Sequence, residues 1–319
     1  MPHQSWSNTI TYLYLTARTP AALELAAAEC VAVTGCRPDG VGIALEYAAG
    51  ALPVDISRTA YTILCLRVLA RAASLPDLYQ QLPLLHLSAE QFRVSILNKS
   101  PVKLADPCHI MQEVGEHIGG SVNLRAPQCE FMVLVTADGI WFGEVCFSNQ
   151  QCWKPHEEKL HMYSSALQPR IARALVNLVA RPGDRLLDPC CGCGTVLIEA
   201  ASMGISAAGS DQNYKLVQAS IKNLRQFHYQ ADVQQLDACE RQGQFDAVII
   251  DLPYGQNCRH DAAVSQRILA NMLRRAPRVL VVAHADLSQE MSAMGYRIAQ
   301  RIAIAEQYLT RYVHVAGTR

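Results

Sequence analysis

No apolar run in this chain of 319 residues approaches the roughly 18 that a membrane-spanning helix needs, which argues against a helical membrane protein. The stretch MPHQSWSNT at the start lacks the charge-then-apolar layout of a secretion signal. A soluble protein of the cytoplasm, with no membrane partner, is therefore the expectation. An excess of either charge is also missing, with 28 Lys/Arg against 28 Asp/Glu. Bulk attraction to a polyanion is not offered. The halves differ modestly, since residues 1–153 carry 9 basic against 13 acidic side chains and residues 154–319 carry 19 against 15. Glycine and proline form no tract and nothing repeats, which excludes collagen-like and low-complexity chains.

Cysteine is plentiful, with 12 residues, but scattered, and several such as Cys30, Cys65 and Cys146 sit inside apolar runs. Buried thiols of a reducing compartment fit this better than a disulfide scaffold. Cys190 and Cys193 form a CxxC that no second pair or nearby histidine completes, so no metal is expected. HEEKLH, from His156 to His161, is taken for solvated linker on the same grounds.

The carboxyl-terminal half alternates strands and helices: RLLDPC, GTVLIEAASMG, SAAGSD, NYKLVQASIKNLRQF, DVQQLDA, FDAVIIDLP, SQRILANMLRRA and RVLVVAH. That rhythm predicts a mostly parallel sheet covered by helices on both faces. YRIAQRIAIAEQ and LTRYVHVAG close it as an antiparallel hairpin. Ahead of the sheet, residues 164–179 predict a helix with Ser164 or Ser165 as cap and Pro169 in its first turn. The amino-terminal half has an α+β texture, with a helix expected over RTAYTILCLRVLARAA and a strand over VNLRAP.

Chemistry concentrates at the strand ends. Asp188, Asp211, Asp237 and Asp251 each close an expected strand, where open parallel sheets bind ligands. After Asp188 and Pro189 come Gly192 and Gly194, which let backbone approach a ligand at a helix start. Leu197 stands where a dinucleotide site usually has its third glycine. Asp211, 17 residues past Gly194, is placed to hold a ribose diol, and Asp237 an adenine amine. NAD and S-adenosylmethionine both satisfy these positions. DLPYG, from Asp251, separates them, because methylation of a conjugated amine needs oxygens to aim its delocalised lone pair. The Asp251 carboxylate and Leu252 carbonyl supply those oxygens, Pro253 stiffens the turn, and Tyr254 offers a stacking face.

DPCCGCGTVLIEA and DLPYG, in this order, resemble two motifs of class I S-adenosylmethionine-dependent methyltransferases acting on exocyclic amines. SSALQPRIARALVNL and the closing YLTRYVHVAG are similar to tRNA guanine-N2 methyltransferases that carry a THUMP domain. FRVSILN and VNLRAPQCEFMVLVTADGIWFGEV resemble THUMP itself. The resemblance implies a Rossmann-like sheet over 164–319, a linker over 151–163, a THUMP-like RNA-binding domain over 86–150 and a ferredoxin-like region over 1–85. It implies that Asp188, Pro189, Gly192 and Gly194 flank the methionine part of the cofactor, Asp211 the ribose and Asp237 the adenine. Asp251, Leu252, Pro253 and Tyr254 would hold the target base. Cys193 replaces a commoner threonine, and Leu252 replaces the usual first proline. A carboxylate matches the paired N1–H and N2 amine of guanine better than the donor–acceptor edge of adenine. Transfer to guanosine N2 in tRNA is therefore expected, with ribosomal RNA, adenine N6 or a silent RNA-binding subunit as alternatives. A small activating protein partner remains open, as does the oligomeric state. Lys154, Lys159, Arg170, Arg173, His156 and His161, and separately Arg274, Arg275 and Arg278, are the candidate phosphate contacts.

Overall fold

The computed structural model describes residues 10–17, 19–39, 43–47, 52–252, 262–306 and 309–318. The chain divides into two compact units. One comprises Met1–Leu15, Cys36–Ser57 and Ile63–Ser148, and the other Thr16–Gly35, Arg58–Thr62 and Asn149–Arg319.

The first unit is built on β1 (Thr11–Thr16), β2 (Ile43–Tyr47), β3 (Thr62–Ala72), β4 (Ser88–Asn98), β5 (Gly119–Val122), β6 (Cys129–Thr136) and β7 (Gly139–Ser148). They form a mixed sheet in the order β2-β1-β3-β7-β6-β4-β5. Helices α2 (Leu75–Gln81) and α3 (Pro107–Glu116) supply Leu78 and Val114 to a core with Phe92, Phe131 and Phe142. The helix expected over RTAYTILCLRVLARAA is instead the central strand β3. Bulges between Cys65 and Leu66 and between Val68 and Ala70 re-aim its side chains. Leu64 and Leu66 thus join one apolar cluster, and Ala70 and Ala72 the other. The strand is buried on both faces only over Leu64–Leu66, and its two bulges break the alternation beyond, so its Leu, Ala and Arg content mimics a helix. The strand expected over VNLRAP also shifts, to β5. Asn123 turns the chain there by accepting from Arg125 N at 3.1 Å and Ala126 N at 3.0 Å.

The second unit holds α1 (Leu23–Thr34), α4 (Pro169–Val179), β8 (Arg185–Asp188), α5 (Thr195–Ser202), β9 (Ser206–Asp211), α6 (Tyr214–Gln226) and β10 (Asp232–Gln235). It continues through β11 (Ala247–Asp251), α7 (Ala262–Met272), β12 (Arg278–Ala283), α8 (Ser288–Ala293), β13 (Arg297–Glu306) and β14 (Leu309–Gly317). Its sheet runs β10-β9-β8-β11-β12-β14-β13, parallel from β10 to β12 and closed by the antiparallel hairpin β13–β14. This is the alternating pattern expected from the sequence. Helix α4 begins at Pro169 with Gln168 as its cap position, so neither Ser164 nor Ser165 caps it. Upstream α1 packs into this unit, where Leu25, Ala26 and Ala28 join Leu175 and Val176 in one core. Its buried Glu29 accepts from Ala60 N, Tyr61 N and Asn177 Nδ2, each at 2.7 Å. Those donors offset the desolvation of a carboxyl whose burial pushes its pKa up. No helix among the described residues is long and apolar enough to cross a membrane.

Candidate active site

Strand order reverses between β8 and β11: β9 and β10 continue on one side of β8, β11 and β12 on the other. Helices leaving such neighbours diverge, so a crevice opens beyond their carboxyl ends. There the structure has a cavity of about 490 Å³. Asp188, Pro189, Gly192, Asp211, Asp237, Asp251 and Leu252 all line it. Asp188 pairs with Gly209, while Leu187 faces Val248, three residues before Asp251, so the two acids close adjacent strands. Asp237 lies two residues beyond the end of β10 rather than in the strand. Gly194 does not line the cavity. Pro253 and Tyr254 lie outside the described residues.

The loop after β8 is held from within. Gly194 adopts φ +85° at the start of α5, and a Cβ there would meet Ser220 Oγ at 2.3 Å, so a larger residue would strain both backbone and packing. Gly192 N donates to Asp211 Oδ2 at 3.1 Å, and Asn213 N donates to Oδ1 at 2.8 Å. Asp211 thus ties the tip of β9 to the glycine loop while facing the cavity. Cys191 N donates to Ser210 O at 2.9 Å, a further tie between the loop and β9. Asp237 accepts from Cys239 N at 2.9 Å and from Arg267 Nη2 at 3.0 Å. Val264 and Ile268 of α7 add an apolar wall.

Electrostatics make the cavity acidic. Asp188 is only 2% exposed, and burial pushes its carboxyl well above the ordinary range. Cys190 N opposes that shift by donating at 3.1 Å, whereas the charges of Asp251 and Asp211 add to it. Burial also raises Asp211, against its two backbone donors. Burial, then neighbouring carboxylates, push the Cys190 and Cys191 thiols up, so they stay protonated. Such a site favours a ligand with positive charge near Asp188 and planar or apolar parts elsewhere.

The basic groups singled out in the sequence divide differently. Arg173 is buried, donating to Glu199 Oε2 at 2.9 Å, Ser202 Oγ at 2.9 Å and Arg58 O at 2.8 Å. His156 is buried with Nδ1 2.7 Å from Glu199 Oε1, and Lys159 is buried too. Arg170 lies over the Tyr61 and Trp153 rings and donates to Ala60 O. Arg278 donates to Asp184 and to the carbonyls of Val179 and Asp246. These side chains brace the interior and are not a phosphate-binding face, while Lys154 and Arg274 remain exposed. HEEKLH is likewise no solvated linker, since it buries His156 and Lys159, and no metal-binding cluster occurs among the described residues.

Tyr163 and Ser165 also line the cavity and Asn223 braces it, although none of the three stands out in the sequence as a site residue. Asn223 left a trace, being an amide on the apolar stripe of α6 between Ser220 and Leu224. Tyr163 left none, because its loop has no periodicity.

Residues 158–319 match the family model described as UPF0020, RMKL-like, methyltransferase domain. The tRNA (guanine(10)-N2)-dimethyltransferase of Methanothermobacter thermautotrophicus is 31% identical over 184 residues, covering 52% of this chain and 51% of that protein. The enzyme of the same name from Methanocaldococcus jannaschii is 29% identical over 184 residues, 51% of this chain and 52% of its own. The chain thus spans about half the length of the curated relatives it matches. The crystal structure of TrmN from Thermus thermophilus superposes with a TM-score of 0.51 at 18% identity, covering 97% of this chain and 100% of that one, a likeness of fold. With more than half of its residues matched, the chain belongs to the RMKL-like methyltransferase domain family.

Proposed function

We propose that this protein transfers a methyl group from S-adenosylmethionine to the N2 amine of a guanosine in tRNA. The observation that carries the reading is the gathering of Asp188, Asp211, Asp237 and Asp251 around one cavity at the strand-order reversal. The residues suit the cofactor. Asp188 and the glycine loop would hold its methionine part, Asp211 the ribose diol, and Asp237 with Val264 and Ile268 the adenine. An acidic cavity of about 490 Å³ also suits a cation of that size. When bound, the cofactor supplies an electrophilic methyl on a positive sulfur. The protein's own part is alignment: Asp251 and the Leu252 carbonyl accept the N–H groups of the base, and Asp251 can hold the proton that the amine releases. Leu252 is anchored for this by its N–H, which donates to Val282 O at 3.1 Å. Pro253 and Tyr254 complete the base site in this reading. A base stacked inside a helix cannot enter a strand-end pocket, so the nucleotide enters flipped out. The relatives' printed names and the match of Asp251 to the edge of guanine favour tRNA guanosine. The THUMP-like segment 86–150 is assigned to RNA binding, beside a ferredoxin-like region over 1–85.

Tritium transfer from labelled cofactor into unmodified tRNA tests the proposal. Asp251→Ala is expected to lower turnover by about 10²-fold or more while cofactor affinity holds, since misalignment alone has that cost. Labelling of ribosomal RNA instead would move the substrate, and full turnover in Asp251→Ala would remove the assigned base site.

A further inference from the structure

Tyr163 is the only aromatic residue among the described residues lining the cavity, and it is 45% exposed. Two anchors fix the loop that carries it. On one side Asn223, fully buried on α6, acts as a surrogate peptide group: His161 N donates to its Oδ1 at 2.9 Å, and its Nδ2 donates to His161 O and to Cys193 O, each at 2.9 Å. The loop is thereby tied to the glycine turn. On the other side buried Arg311 of β14 donates to Ser165 O at 3.5 Å. Strand β14 pairs with β12, Ala283 facing Tyr312, and β12 pairs with β11, Val282 facing Asp251. Residues 161–165 therefore run from the glycine loop toward the Asp251 side of the cavity, with Tyr163 midway. Leu160 and Met162, nearby in the chain, are exposed as well.

A ring kept half in solvent at a cavity wall forgoes burial that a core position would give it. What it offers is a flat face beside the junction of the two strand tips, suited to a planar heterocycle. The loop needs no order from the ligand, because Asn223 and Arg311 already hold it. We propose that Tyr163 is the platform on which the acceptor base stacks, with Asn223 as the positioning residue that holds it in place. The inference rests on the methyl-transfer reading above and adds a base contact to it.

The experiment compares wild type, Tyr163→Ala and Tyr163→Phe in steady-state methyl transfer to unmodified tRNA, with S-adenosylhomocysteine affinity measured by calorimetry. Loss of a base–aromatic stack lowers kcat/KM for tRNA in Tyr163→Ala about tenfold or more. Product affinity stays at the wild-type value, and Tyr163→Phe, which keeps the ring, recovers most of the loss. Melting curves of the three proteins coincide, because the hydroxyl carries no structural bond and the ring is half exposed. Wild-type kinetics in Tyr163→Ala would sink the platform alone. Equal losses in the Ala and Phe variants, or a fall in product affinity matching the fall in kcat/KM, would do the same. A wild-type protein that binds the product yet methylates no RNA would sink the transfer reading, and the platform with it.

Discussion

Two seven-stranded sheets in one chain treat their charges in opposite ways. In the first unit the charges pair across strands on partly exposed faces: Arg67 with Glu144, and Arg93 Nη2 with Glu130 Oε2 at 2.7 Å. In these two pairs each acid has its base on the neighbouring strand. In the second unit Asp188, Asp211 and Asp251 close parallel strands beside one another, and burial, with the charges of Asp251 and Asp211 adding to it, raises the Asp188 carboxyl. Parallel strands bring like ends together, so acids at successive tips accumulate. The pairs of the first unit lie instead within the strands, Arg67–Glu144 across antiparallel β3 and β7 and Arg93–Glu130 across parallel β4 and β6, where a facing base compensates each acid. Accumulated like charge is tolerated where a ligand offsets it. That contrast locates the chemistry in the second unit without reference to any relative.

The largest effect expected from testing the contrast lies in the buried network of the second unit. Arg173→Met leaves Glu199, itself fully buried, with His156 Nδ1 at 2.7 Å as its remaining side-chain partner and removes the donor to Arg58 O. A loss of about 3–5 kcal/mol in urea denaturation is expected, the usual cost of breaking a buried pair on one side.

Next comes pH. The folded-state pKa of Asp188 is raised, so between the ordinary carboxylate range and that raised value the unfolded chain binds fewer protons than the folded one. The contribution of Asp188 to stability without cofactor is therefore fully present below the ordinary carboxylate range and is lost as pH rises toward the raised value, by up to about 1.4 kcal/mol per pH unit for one proton. Asp188→Asn should flatten the part of that slope that Asp188 supplies, leaving the smaller share from Asp211, as denaturation midpoints between pH 4 and 8 would show. An unchanged slope would mean that the strand-end charges do not accumulate as described.

Smallest is Arg67→Met in the first unit. Its pair with Glu144 is partly exposed, so a shift below about 1 kcal/mol is expected. A shift as large as that of Arg173→Met would erase the distinction between the two sheets.

Much of the second unit was legible because its signals are local. Apolar runs of strand length, three of them (β8, β9 and β11) ending in an acid, are compact in sequence. The glycine turn likewise needs only neighbouring residues to make sense. The first unit was harder: β3 is buried on both faces over Leu64–Leu66 and carries two bulges, so its pattern matched a helix better than a strand. Basic residues misled for a related reason. Arg173 and Arg278 look like surface charge until the carbonyls and carboxylates that surround them, distant in the chain, are in place.

By itself the sequence determined the order of elements in the parallel sheet, the acids at its strand ends and the conformational demands of its glycine turn, all of which depend on residues a few positions apart. Only the tertiary structure decided which acids share a cavity, that α1 packs beneath α4, and that Asn223 and Arg311 hold Tyr163 at the wall. Those outcomes depend on strand order and on hydrogen bonds between residues 62 and 146 positions apart, and a contact at that separation leaves no periodic mark on either partner.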